Sequence, residues 1–226
     1  MTANRPDRPG KRTEGAPRDS AERERQRQNA IEANKRDSIP ILEELGEAGL
    51  HVEWISDLYA RRLQYKEAIP ILLRWLPRTV NNDVKEAIVR ALSVPWAKPD
   101  AATALVREFR NLPPGEAPGL QWAIGNALAV VADDSVASDL EDMIRDARYG
   151  KAREMLVVAL GNMKEPRAQE TLLQLLSDDA LAGYAIMSLG KLRARKAAPM
   201  IKRFENHPQA WIRREAKKAL AKIERA

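Results

Sequence analysis

Asp83-Val84-Lys85-Glu86-Ala87-Ile88-Val89-Arg90-Ala91-Leu92 is the stretch on which the fold turns. Slid along the chain with Leu92 as anchor, it aligns with four later segments, anchored at Leu128, Leu160, Leu189 and Leu220. Successive anchors lie 36, 32, 29 and 31 residues apart. Eight residues before each anchor stands Val84, Leu120, Ala152, Leu181 or Ile212; four before stands Ile88, Ile124, Leu156, Ala185 or Ala216. Apolar residues at spacings of four and eight share one face of a helix. The anchor's neighbours are small: Ala91, Ala127, Ala159, Ser188 and Ala219 before it, and Ser93, Ala129, Gly161, Gly190 and Ala221 after it. Small residues there let a neighbouring helix approach closely. A unit that returns about every 30 residues is the mark of a solenoid, because one such unit cannot bury its apolar face alone.

Between these copies runs a second pattern. Ala68-Ile69-Pro70-Ile71-Leu72-Leu73 resembles Ala197-Ala198-Pro199-Met200-Ile201 and, near the start, Ser38-Ile39-Pro40-Ile41-Leu42. Proline is tolerated in the first turn of a helix, where a missing N–H costs nothing. Each segment is therefore expected to begin a helix A that precedes a partner helix B.

Composition bounds the rest. The 226 residues contain 5% aromatics and no cysteine, which excludes disulfides, thiolate catalysis and cysteine metal sites. No apolar run reaches the about 18 residues of a membrane span. The N-terminus has no apolar signal core, and Asp7, Glu14 and Asp19 argue against a transit peptide, so a cytoplasmic protein is expected. The net charge of +6 divides unevenly: +4 over residues 1–36, −7 over the middle and +9 over residues 191–226. An acidic body with a basic end disfavours a chain that wraps nucleic acid along its whole length.

Residues 1 to about 18 are rich in Pro, Gly and Arg and are expected to be disordered. Asp19 with Glu22 has the spacing of a capping box, predicting a polar helix from Ser20 to about Arg36. The division is thus a disordered or polar helical arm over 1–36 and a repeat domain over 37–226. Within the domain, Ser38 to about Gly46 is the first A helix, and His51 to about Leu63 is its irregular partner, with Val52, Ile55, Leu58 and Tyr59 facing the core. Lacking the Ala-Leu anchor, that pair reads as a terminal cap. Regular pairs follow, with A helices over about 66–75, 99–110, 134–146, 165–176 and 195–205. Asn81 caps the helix of the opening stretch, and 112–119 is the longest loop of the array.

Val84 to Leu92 and Ile212 to Leu220 resemble the second helix of HEAT repeats, in the short HEAT-like form of phycobilin lyase subunits, and Ala-Ile-Pro-Ile-Leu resembles the first helix. The similarity covers about residues 38–226. It implies an all-α, right-handed α-solenoid of about six HEAT-like helix pairs (armadillo-like) with the B helices lining a concave surface. Members of this family are mostly interaction scaffolds; a few are lyase subunits, iron-dependent hydroxylases or alkylpurine DNA glycosylases. The hydroxylases hold iron through His-Glu pairs, and no His-Glu dipeptide occurs here: His51 precedes Val52 and His207 precedes Pro208. Asp133, Asp134, Asp139, Glu141, Asp142 and Asp146 cluster without calcium-loop spacing and read as a solvated face. No metal and no cofactor is expected.

The expected function is non-catalytic protein binding on the concave B-helix surface. Its candidate contacts are Lys85, Arg90, Trp122, Asn126, Arg153, Arg213, Arg214 and Lys217, with Trp122 as the outward-facing aromatic anchor. The expected partner is another protein with an acidic surface. Asp57, Tyr59, Arg61 and Arg62 form a second candidate region. The alternative is a nucleic-acid enzyme resembling the HEAT-like DNA glycosylases, for which five tryptophans are available but the acidic body is unfavourable.

Overall fold

The computed structural model describes residues 16–225, and the expectation of disorder for residues 1–15 lies outside them. Among the described residues there is no strand, and the helices alternate in two layers. The A layer is α1 (Ala16–Glu47), α3 (Ala68–Trp75), α5 (Asp100–Asn111), α7 (Ala137–Arg145), α9 (Pro166–Gln174) and α11 (Ala198–Lys202). The partners are α2 (Asp57–Ala60), α4 (Asn82–Ala91), α6 (Pro118–Val131), α8 (Ala152–Leu160), α10 (Ala182–Lys191) and α12 (Ala210–Glu224). Each of α4, α6, α8 and α10 packs on the next B helix, and α3, α5 and α7 pack likewise on the next helix of the other row. The result is an all-α array of six helix pairs.

The alignment of the five copies is the core of this array. Leu92, Leu128, Leu160 and Leu189 are fully buried, as are Ile88, Ile124, Leu156, Ala185 and Ala216. Leu220, on the last helix, is only half-buried because no further helix covers it. The small residues around the anchors interlock. A Cβ on Gly190 would lie 2.6 Å from the Cβ of Ala219, and one on Gly161 would lie 2.9 Å from Ser188. The residue after one anchor thus meets the residue before the next. The Ser188 hydroxyl lies in this contact and donates to the Val157 carbonyl at 2.9 Å.

The N-terminal third departs from expectation in three places. First, α1 is one helix of 32 residues with Pro40 inside it, so the boundary at 36/37 falls mid-helix and Asp19 lies past the first turn. Pro40 leaves the Arg36 carbonyl without its N–H partner, and Arg36 is exposed, so water can serve it. The Ser38 hydroxyl donates to the Asn34 carbonyl at 2.7 Å within the same turn.

Second, α1 docks through a polar network. Asn81 donates to Asn34 and to Asp37, both at 2.9 Å, and Asn34 donates to Asp83 at 3.0 Å. Those bonds from Asn81 and Arg36 hold the Asp37 carboxyl below its ordinary range. Asn81 also caps α4, accepting from the Asp83 and Val84 amides.

Third, the helix expected over 51–63 shrinks to Asp57–Ala60. The Asp57 carboxylate accepts from the Glu53 and Trp54 amides, which opens the turn, and Arg62 adopts φ +53°, which ends it. Ile55 and Leu58 are nevertheless buried as expected.

Candidate partner-binding face

The eight candidate residues separate into two groups by their place in the repeat. Lys85, Arg153 and Arg213 follow directly after Val84, Ala152 and Ile212, and Gln121 holds the same place after Leu120. None of the four projects into an open groove. Gln121 donates its amide to the Leu112 and Pro113 carbonyls. Arg153 donates to the Ile144 carbonyl at 3.2 Å and the Gly150 carbonyl at 3.3 Å, and its side chain is 13% exposed. Arg213 donates to the His207 and Pro208 carbonyls, both at 2.7 Å. The last carbonyls of a helix and those of the following turn have no helical donor. This position of helix B supplies one, clamping the connection from its own helix A.

Lys85 occupies the same place and meets a carboxylate instead. Its ammonium lies 2.7 Å from Glu108 Oε2 of α5, with side chains only 13% and 4% exposed. Lys85, Arg153 and Arg213, expected as outward contacts, are thus each engaged in bonds within the fold. A donor at that position is drawn to the connection it faces.

The second group is open. Trp122 is 46% exposed, and no other aromatic among the described residues is exposed. Asn126, one turn on, donates to the Trp122 carbonyl at 2.8 Å. Arg90 is exposed and pairs with Glu86 at 2.7 Å. Tyr59, Arg90, Ser93, Ala123 and Asn126 line a cleft of about 210 Å³. The array thus brings Arg90, Asn126 and Tyr59 to one place, with Trp122 at its edge. Arg214 and Lys217 are exposed on α12, but Lys217 lines a different depression, with Ala198, Lys202 and Leu220.

Further along the same face, Tyr184 of α10 donates to Glu154 of α8 at 2.7 Å, and burial together with that carboxylate pushes its hydroxyl up to about 12. Beyond it lie Val158, Met187, Lys191, Lys218 and Lys222, none of them among the eight candidates. The signal was in the alignment. Val158, Met187 and Lys218 stand two residues before their anchors, as Arg90 and Asn126 do.

The acidic cluster is held by bonds within the fold, save Glu141 Oε1, which is buried without a hydrogen-bond partner among the described residues. Asp139 and Asp142 pair with Arg110, Glu141 with Arg167 and Arg145, and Asp146 with Arg148. Asp134 accepts from the Lys164 and Glu165 amides, and Asp133 from the Ser135 amide. Among the described residues no group of three or more His, Asp or Glu could hold a metal ion. His207 stacks on Phe204 and accepts from the Gln209 amide, as a turn residue. It borders an apolar cavity of about 550 Å³ between α9 and α11, on the A-helix side. No helix among the described residues is long and apolar enough to cross a membrane.

Residues 152–178 match the family model of the PBS lyase HEAT-like repeat. The match covers α8 and α9 and ends at Asp178, where the next turn begins, so it spans one period of the array. No curated protein and no solved structure matches the chain significantly. Residues 152–178 are thus similar to one PBS lyase HEAT-like repeat, and the helix pairs on either side, with anchors recurring through five B helices, are consistent with further copies of it.

Proposed function

We propose that this repeat scaffold is a non-catalytic protein-binding adaptor whose contact surface is the B-helix face around Arg90, Trp122 and Asn126. The observation that carries the reading is Trp122, an indole held half in solvent on a helix whose other large residues are buried. Exposing an indole on a rigid helix sacrifices burial worth about 2 kcal/mol or more, and tryptophan is among the residues that most often anchor a protein contact. Arg90, Asn126 and Tyr59 supply polar groups beside it, as the rim of an interface requires.

The test uses the tagged full chain and the partner that co-purifies with it. Trp122→Ala is expected to weaken that partner's affinity by about 30-fold, the value of a hot spot, and Arg90→Glu by about tenfold through reversed charge. Unchanged affinity in both variants contradicts the reading. So does tight, salt-sensitive binding of alkylated duplex DNA with release of the modified base, the outcome that would favour a DNA glycosylase.

A further inference from the structure

The row that holds Arg90 and Asn126 continues through Val158, Met187 and Lys218, so it changes character along the array. Its far end is a groove of about 170 Å³ between α8, α10 and α12. Val158, Met187 and Ala219 form an apolar floor, and Lys191, Lys218 and Lys222 form the rim. Met187 is 37% exposed, and the contact of Gly190 with Ala219 keeps the floor shallow and free of large side chains.

The charge on this rim is unbalanced. Lys218 is neutralised by Glu215 at 2.8 Å. Lys191 bonds instead to a neutral acceptor, Asn162 Oδ1, while the Asn162 amide donates to the Ala129 carbonyl at 2.9 Å and so fixes that acceptor in place. Lys222 and Lys98 have no carboxylate within salt-bridge distance among the described residues. Burial first, then the charges of Lys98 and Lys222, hold the Lys191 ammonium below its ordinary range. Lys191 of α10 and Lys222 of α12 thus converge on one rim against their mutual repulsion. Lysines near helix C-termini favour the helix dipole, which accounts for each residue on its own helix but not for the approach of the two.

We propose that this groove binds an acidic segment of a partner protein, with one apolar side chain on the Val158–Met187 floor and carboxylates on Lys191 and Lys222. The assignment rests on the B-helix face being the contact surface and names the chemistry of what it takes. An apolar floor suits a peptide side chain and offers nothing to a phosphate backbone. Methionine adapts to varied apolar partners, and the acidic middle of the chain repels nucleic acid.

Fluorescence anisotropy on the full chain tests the inference. The probes are labelled twelve-residue peptides, one of Asp and Glu around a central leucine and one with lysines in place of the acids, and a twelve-nucleotide DNA single strand. The acidic peptide is expected to bind about tenfold or more tighter than the basic one, with affinity falling as salt rises. Lys191→Glu/Lys222→Glu is expected to weaken it by about tenfold or more. Both sites are exposed and relieve repulsion, so folding is preserved; should the double reversal fail to fold, Lys191→Gln/Lys222→Gln is expected to lose about threefold. Equal binding of the two peptides, indifference to both double variants, or tighter binding of the DNA strand overturns the proposal. A natural partner that depends on Trp122 but not on Lys191 and Lys222 overturns the groove alone; one indifferent to all three overturns the B-helix face as well.

Discussion

Lys85→Ala is expected to lower the unfolding free energy by about 3 kcal/mol, because it strands the Glu108 carboxylate in the interior. The Glu108 side chain is 4% exposed, and its Oε2 has Lys85 at 2.7 Å. Breaking a buried pair from one side is costly, whereas exchanging both members for apolar residues of similar size is close to neutral. Lys85→Met/Glu108→Leu should therefore recover most of the loss. Urea denaturation followed by circular dichroism checks both, and a loss under about 1 kcal/mol in Lys85→Ala would mean that the pair is effectively solvated.

The second large effect belongs to the anchors. Leu128→Ala is expected to cost about 3–4 kcal/mol, as removal of a fully buried leucine from a packed interior does. Leu220→Ala should cost about 1 kcal/mol, because its cavity opens to solvent on the uncovered side of α12. The two residues are equivalent in the repeat and differ in burial, Leu128 being fully buried and Leu220 half-buried. In an array stabilised by contacts between nearest neighbours, Leu128 serves two interfaces, with α4 and with α8, and Leu220 serves one. Equal losses at the two positions would contradict the repeat register.

These two effects mark what was legible in the sequence. Periodicity at four and eight assigned Val84, Ile88, Ala91 and Leu92 and their equivalents to the core, and all but Leu220 are buried. The small residues beside the anchors foretold the approach of α10 to α12 and of α8 to α10. Periodicity could not say where a long polar side chain goes once it leaves that core. Lys85, Arg153 and Arg213 all lie outside the apolar stripe and read as solvent-facing. Their destinations depend on groups far off in the repeat: Glu108, the Ile144 carbonyl and the His207 carbonyl. The unpaired carbonyls of a helix end are invisible to a hydropathy pattern, although the recurrence of a donor at one repeat position was a usable sign.

Pro40 misled for a related reason. A proline excludes one hydrogen bond and does not forbid a helix, and with Arg36 in solvent the loss was small enough for α1 to run on. Conversely, the residues that read as a helix over 51–63 were stopped by a local competitor. The Asp57 carboxylate captured backbone amides that a helix would have left facing the chain. On the candidate face, Trp122 was recognisable because it broke an otherwise apolar-in, polar-out pattern. The lysine groove was not, since Lys191 lies on α10 and Lys222 on α12, and the two meet only when these helices pack.

Arg153 holds the fold together through the carbonyls it serves, and Trp122 is the residue proposed to meet a partner. The most direct measurement is partner affinity and melting temperature, taken together on Arg153→Ala and Trp122→Ala. Arg153→Ala frees two carbonyls and should lower the melting temperature by about 3 °C, on the order of 1 kcal/mol, with affinity unchanged. Trp122→Ala should leave the melting temperature within about 1 °C and weaken affinity by about 30-fold. The opposite pattern, with affinity lost in Arg153→Ala and only stability lost in Trp122→Ala, would contradict the account.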